Sequence, residues 1–260
     1  MKKKLISVLI TNYNKEKFLK RSLNSVCNQN FHNYEIILYD DCSSDRSIDI
    51  INRYKKVRLI KNLKRSKKSH ALNQIKGVLE AFNRSKGDII CLMDSDDYFN
   101  KNKLKEVFRE FTKNKNINCI FNLPESNKNQ FNLRDYSPRY SVWPTIFPTS
   151  CISFKRTFFI KFAKYLEKNK YKNLEIDARL TIFSKFFFNK YDIINKKLTF
   201  YSYDNEGITS NIKKFSRIWW IRRREAFIYL KYIMKKKNLF FTKSIDYYVT
   251  FIISYFVKSL

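Results

Sequence analysis

In the first hundred residues, short apolar runs alternate with helix-length amphipathic segments, and that alternation restricts the fold more than any other feature. Residues 5–10 read LISVLI, 34–39 YEIILY, 57–60 VRLI and 88–93 DIICLM. Between the first two runs, residues 16–29 place Leu19, Leu23, Val26 and Cys27 on one helical face. A serine of Ser43-Ser44 is suited to cap a helix carrying Ile48, Ile51 and Tyr54, and residues 71–82 are helical, closed near Gly87. Strands separated by helix-length segments predict parallel pairing through crossover helices. The expected class is α/β: a Rossmann-like, mostly parallel sheet flanked by helices. Ligands of such sheets sit at the carboxyl ends of the strands, where the polar clusters of this chain lie.

The second half is less regular. Residues 118–123 and 151–154 read as strands, and 173–188 as a helix. Residues 125–148 read as a loop holding Pro138, Pro144 and Pro148, three of the four prolines. Residues 203–210 contain Gly207 and read as a turn, placed to serve as a lid or acceptor loop. From about Ser216 the chain is helical and cationic-aromatic, with Trp219-Trp220 ahead of Arg222-Arg223-Arg224. Lys243 and Asp246 interrupt the apolar stretch 239–260, which argues against a membrane span. The expected division is a body over 1–215, with halves 1–123 and 124–215, and a C-terminal helical region over 216–260.

A net charge of +30 raises the question of nucleic acid. The lysines are spread over every expected helix, with only short runs such as Lys235-Lys236-Lys237, and no zinc-finger, helix-turn-helix or aromatic RNA-binding signature accompanies them. The expectation is an evenly basic surface and no nucleic-acid partner, with peripheral attraction to anionic lipid as a second option. The aromatic segment beyond Ser216 suits an interfacial helix as well as a packed one. Five widely spaced cysteines without a CxxC pair indicate neither a disulfide framework nor a zinc site. The basic start Met1-Lys2-Lys3-Lys4 lacks the apolar length and cleavage site of a signal peptide. Both point to the cytoplasm, with the inner face of the cell membrane as the site of any peripheral contact.

The chemistry lies in three polar clusters. Asp94-Ser95-Asp96-Asp97 follows the run IICLM, and carboxylates at a strand end make a hard oxygen site for Mg or Mn shared with a diphosphate. The plainer alternative is a solvated acidic turn. Thr11-Asn12-Tyr13-Asn14 ends the first run and Asp40-Asp41 the second. An aromatic ring stacks on a base, and carboxylates accept from uracil N–H or ribose hydroxyls, so a nucleotide is the economical ligand. No glycine precedes Gly77, which excludes a Walker loop, a dinucleotide fingerprint and the triphosphate loop of a sugar nucleotidyltransferase.

The stretch SVLITNYNKEKFLKRSLNSVCNQNFHNYEIILYDDCSSDRS, followed by LMDSDDYF, resembles the amino-terminal half of family 2 glycosyltransferases with the GT-A fold, in order and spacing over roughly the first hundred residues. The resemblance implies that Thr11, Tyr13 and Asp41 hold the nucleoside. It further implies that Asp94 and Asp96 bind ribose and donor, and that Asp96 and Asp97 hold Mn or Mg. Lys68, in the segment Lys68-Ser69-His70-Ala71-Leu72-Asn73, corresponds to the part approaching the diphosphate, with Lys67 where the family has glycine. In inverting members a carboxylate at the start of a later helix is the general base. The matching stretch Leu174-Glu175-Ile176-Asp177-Ala178-Arg179-Leu180 leaves Glu175 and Asp177 as rivals, with Asp177 favoured. The implied activity is sugar transfer from a nucleotide-sugar, with a UDP-sugar as donor, to a glycan or lipid-linked acceptor hydroxyl in cell-surface polysaccharide or glycolipid synthesis. The contrasting reading is a non-catalytic basic protein that binds nucleic acid or acidic glycan, which leaves the strand-end carboxylates without a purpose.

Overall fold

A computed structural model describes residues 4–67, 69–126, 146–202 and 212–257. Lys68, most of the proline-bearing loop and the turn at 203–210 lie outside the described residues. The first half alternates as the sequence predicts: β1 (Ile6–Asn12), α1 (Glu16–Cys27), β2 (Tyr34–Asp40), α2 (Ser47–Asn52), β3 (Val57–Lys61), α3 (His70–Arg84) and β4 (Ile89–Asp94). There follow β5 (Tyr98–Phe99), α4 (Lys103–Lys113), β6 (Cys119–Ser126), β7 (Ile152–Lys155), α5 (Arg156–Ala163), α6 (Ile176–Phe187), β8 (Asp192–Tyr201), α7 (Arg217–Lys236) and α8 (Ile245–Phe256).

The eight strands form one sheet in the order β3-β2-β1-β4-β7-β6-β8-β5. Strands β1 to β4 pair in parallel, as expected for crossover helices. The later half is mixed: β7 runs antiparallel to β4 and β6, β5 runs antiparallel to β8, and β6 and β8 are parallel. Strand β8 escapes a reading by periodicity for a physical reason. Its register against β6 shifts between Asn122 and Leu123 and again between Leu123 and Pro124, so strict alternation is lost, and Lys196-Lys197 lie in its middle. The two-residue β5 is too short to leave a pattern.

Both faces of the sheet are covered, which is why the parallel strands read as continuous apolar runs. Val8 and Ile10 of β1 pack with Leu19 and Leu23 of α1 on one face. Leu9 packs on the other face with Ile75 and Val78 of α3 and with the phenylalanines of α5 and α6. The high aromatic share is spent largely there. Phe154 and Phe159 stack at 5.0 Å, Phe183 and Phe187 at 4.6 Å, and Phe158 and Phe162 close the layer edge-on to Phe183.

Parallel register fixes where the polar clusters go. Asn12 is aligned with Asp40, and Thr11 with both Tyr39 and Asp94, so the ends of three adjacent strands open at one edge. The opposite edge is closed by Gly87, whose N–H donates to Ser7 Oγ at 2.8 Å. A methyl group on Gly87 would collide with Ser7 Oγ and N and lie 2.9 Å from the Ile6 carbonyl carbon. Gly87→Ala should therefore destabilise the protein by about 1–3 kcal/mol, the range for overpacking a tight site. Urea unfolding should show a lower midpoint with an unchanged slope.

Candidate active site

At the end of β1, Thr11 Oγ1 donates to Asp94 Oδ1 at 3.0 Å, and Gln74 Nε2 from α3 donates to the same oxygen at 2.9 Å. At the end of β2 the two aspartates divide their work. Asp40 is buried and accepts from Asn12 Nδ2, Ser43 Oγ and Ser43 N, which folds the β2–α2 turn. Asp41 accepts from Asn62 Nδ2 at 2.7 Å and from Arg65 Nε at 2.8 Å. The Arg65 guanidinium lies 3.6 Å from the centre of the Tyr13 ring, so Tyr13 and Asp41 share one cation. Tyr13 and Asp41 are thus brought together through Arg65, while Thr11 stands with Asp94 on the neighbouring strand end. Arg65 was not legible: it sits in a lysine-rich stretch, 61–68, where nothing distinguishes one cation from the next. Lys68 lies outside the described residues. Its neighbour Ser69 caps α3 by accepting from Leu72 N, and donates to the Lys172 carbonyl ahead of α6.

The acidic cluster presents three carboxylates in different settings. Asp94 is half-buried, and its carboxyl is pushed up to about 6 by burial first and by Asp96 second. Asp96 pairs with Lys15 Nζ at 3.0 Å. Asp97 is fully enclosed: Oδ1 accepts from Ser202 N at 2.9 Å, and Oδ2 is buried with no hydrogen-bond partner among the described residues. Burial, then Asp96 and Asp94, raise its carboxyl well above the usual carboxylate range. Near it lies a buried lysine that no pattern in the sequence singles out. Lys103 Nζ donates to the Ser150 carbonyl and to Thr199 Oγ1, and burial lowers its pKa to about 8.

Crowded carboxylates of raised pKa are the donor set a hard divalent cation relieves. Among the described residues no three such side chains form a preformed cage. Mg or Mn held by one or two carboxylates and completed by phosphate oxygens fits that arrangement.

The second acidic stretch begins α6. Arg179 fixes it by donating to the backbone carbonyls of Leu166, Lys170, Tyr171 and Leu174 at 2.6–2.9 Å, so that a fully buried guanidinium closes the segment ahead of the helix. Glu175, at the N-cap position, is buried and accepts from Arg222 Nε of α7 at 2.6 Å. Glu225 of α7 accepts from Asn173 N and Nδ2. Helix α7 therefore joins the body at this point and is not an appendage to it. Asp177 is half-buried and accepts from the Ala178 N–H at 2.6 Å. Its pKa is pushed up to about 7, by burial first and then by the Glu175 charge. The charge of Asp177 in turn contributes, as the smallest of several causes, to raising Asp94, so the two acidic stretches lie within electrostatic reach of each other. Of the two rivals, Glu175 is bound to Arg222, whereas the Asp177 carboxylate's one hydrogen bond among the described residues is to its own helical turn.

These shifts carry a sign. A carboxyl whose folded-state pKa stands above its unfolded value binds its proton more tightly when folded, so its contribution to stability falls as pH rises towards 7. Asp177→Asn removes that loss. The variant should melt at the same or a higher temperature than the parent at pH 8, with a smaller difference at pH 5. A clear drop at pH 8 would show that Asp177 is a structural anchor.

The sequence model for glycosyl transferase family 2 matches residues 7–230, which takes in both acidic stretches and the first two turns and more of α7. The poly(ribitol-phosphate) beta-N-acetylglucosaminyltransferase TarS of Staphylococcus aureus is 32% identical over 103 residues, 39% of this chain and 18% of that protein. The putative teichuronic acid biosynthesis glycosyltransferase TuaG of Bacillus subtilis is 31% identical over 110 residues, 40% of each. The chain thus spans well under half the length of these relatives. Among solved structures, residues 1–349 of S. aureus TarS in complex with UDP-GlcNAc superimpose with a TM-score of 0.64 at 15% identity, covering 86% of this chain and 66% of that one. The mannosyltransferase PcManGT of Pyrobaculum calidifontis, in complex with GDP-Man and Mn2+, gives a TM-score of 0.60 at 15% identity, covering 97% and 70%. The fold is the GT-A fold, and the chain belongs to glycosyl transferase family 2.

Proposed function

We propose that the protein transfers a sugar from a UDP-sugar to an acceptor hydroxyl with inversion at the anomeric carbon. The observation that carries this reading is Asp177: a half-buried carboxylate in the first turn of α6, with no ion pair among the described residues, whose charge reaches Asp94 at the strand end. Tyr13 and Asp41 are arranged to take the base, which would require Arg65 to share or yield its place over the ring. Asp94, held by Thr11 and Gln74, is presented towards ribose. Lys68 remains the proposed contact to the diphosphate.

Asp96 and Asp97 would hold Mn or Mg, with Lys15 exchanging out of its pair with Asp96. When bound, the cation supplies charge neutralisation at the departing diphosphate. The acceptor O–H gives its proton to Asp177 as its oxygen bonds to the anomeric carbon, and the bond from that carbon to the diphosphate oxygen breaks on the opposite face. Glu175 stays bound to Arg222 and its charge raises the pKa of Asp177, which takes the proton. The printed names of TarS and TuaG favour a cell-wall polysaccharide or its lipid-linked precursor as acceptor. A cytoplasmic protein at the inner membrane face would meet such an acceptor.

Turnover of a panel of sugar nucleotides, read as release of nucleoside diphosphate with and without chelator, tests the reading directly. Asp177→Asn should reduce transfer by roughly 10²–10⁴-fold while leaving nucleotide binding near normal. If Glu175→Gln is the inactive variant instead, the base is Glu175. Product retaining the donor's anomeric configuration would overturn the single-displacement mechanism. Because a base works ionised, kcat/KM should fall about tenfold per pH unit below about 7. Full activity in excess chelator would remove the cation from the proposal.

A further inference from the structure

Helix α8 is built the wrong way round for a helix at rest in water. At 3.6 residues per turn, Ile245, Tyr248, Val249, Ile252, Tyr255 and Phe256 fall within roughly a 120° arc. All six are exposed, Ile245 at 83% and Tyr255 at 71%. The face turned to the protein carries the polar residues: Thr250 and Ser254 are buried, and Asp246 pairs with Arg223 of α7. Tyr247 and Phe251, stacked at 4.3 Å, supply the inward apolar contact. The link from α7 continues the outer surface, with Phe240 at 87% exposure. A contiguous apolar face of this kind marks a contact with something else.

The surrounding charge identifies what that is. From Ala226 to Val257 the chain carries five lysines, Lys231, Lys235, Lys236, Lys237 and Lys243, all exposed. The lone acidic residue in that stretch, Asp246, is neutralised by Arg223. A second copy packed on this face by a two-fold axis would bring together two segments that each carry these five lysines, with Lys243 of each beside the Tyr247 and Tyr248 rings. A membrane surface bearing anionic head groups answers both halves of the pattern, taking the apolar arc into the acyl boundary and the lysines among the phosphates. Among the described residues no helix is long and apolar enough to cross a membrane, so α8 would lie along it.

We infer that the outer face of α8, with Phe240, is an interfacial anchor that seats the protein on an anionic lipid surface. The test is co-flotation of the full chain with phosphatidylcholine vesicles, with and without phosphatidylglycerol. The wild type should float with the anionic vesicles at low salt and largely dissociate at high salt. Ile252→Asp and Tyr255→Asp, each at an exposed position, should lower the bound fraction by about tenfold or more without moving the melting temperature. Wild-type protein that stays at the bottom at low salt overturns the inference. So does undiminished flotation of both variants, which would assign binding to scattered surface charge. Sedimentation showing a wild-type dimer that Ile252→Asp converts to monomer would assign the face to a second copy. No readout involves sugar transfer, so the anchor stands or falls apart from the proposed activity.

Discussion

The pairing of β1 between β2 and β4 governs what the rest of the molecule can do. Parallel register sets Asn12 beside Asp40 and Thr11 beside Asp94, so three strands deliver their polar ends to one place. A shift of one residue would exchange each strand's side chains between two differently packed apolar layers and part these polar ends, so the register is held by the packing on both sides. The site inherits its precision from the core in this way. Thr11 needs no further support to reach Asp94, and Asp40 is free to fold the turn that presents Asp41.

That placement creates an electrostatic problem which cations from both halves of the chain answer. Buried carboxylates resist ionisation, the more so beside other carboxylates, and Asp94, Asp97 and Asp177 all show it as raised pKa values. The balancing cations arrive from four elements or their borders: Lys15 before α1, Arg65 after β3, Lys103 at the start of α4 and Arg222 in α7. Each has a different partner. Lys15 and Arg65 sit on groups proposed to meet the donor, whereas Lys103 and Arg222 are held in buried networks. In the proposed reaction the first pair would give way to a ligand, and the second pair belongs to the folded protein.

Legibility in the sequence followed the length scale of the interaction. The β1–β4 alternation and the strand-end clusters were readable because period and punctuation are local properties, and the structure has those elements where the pattern puts them. Strand β8 was not readable, since its bulged register against β6 is set by tertiary pairing. Arg65, Lys103 and Arg222 were equally hidden. In a chain with 53 Lys and Arg residues, a cation's importance depends on what it is buried against, which no spacing rule records. The rivalry of Glu175 and Asp177 was readable as a rivalry, and only the position of Arg222 separates their environments.

Helix α7 carries Arg222 and Arg223 in succession. The first holds Glu175 ahead of α6, and the second holds Asp246 of α8. Two adjacent residues thereby link the start of α6 to α8. A protein shortened at about residue 216 would strip the Glu175 carboxylate, two residues from Asp177, of its counter-ion and of the helix that covers it. Deletion mapping would then score the tail as part of the active site, although no residue beyond Ser216 is proposed to touch either substrate.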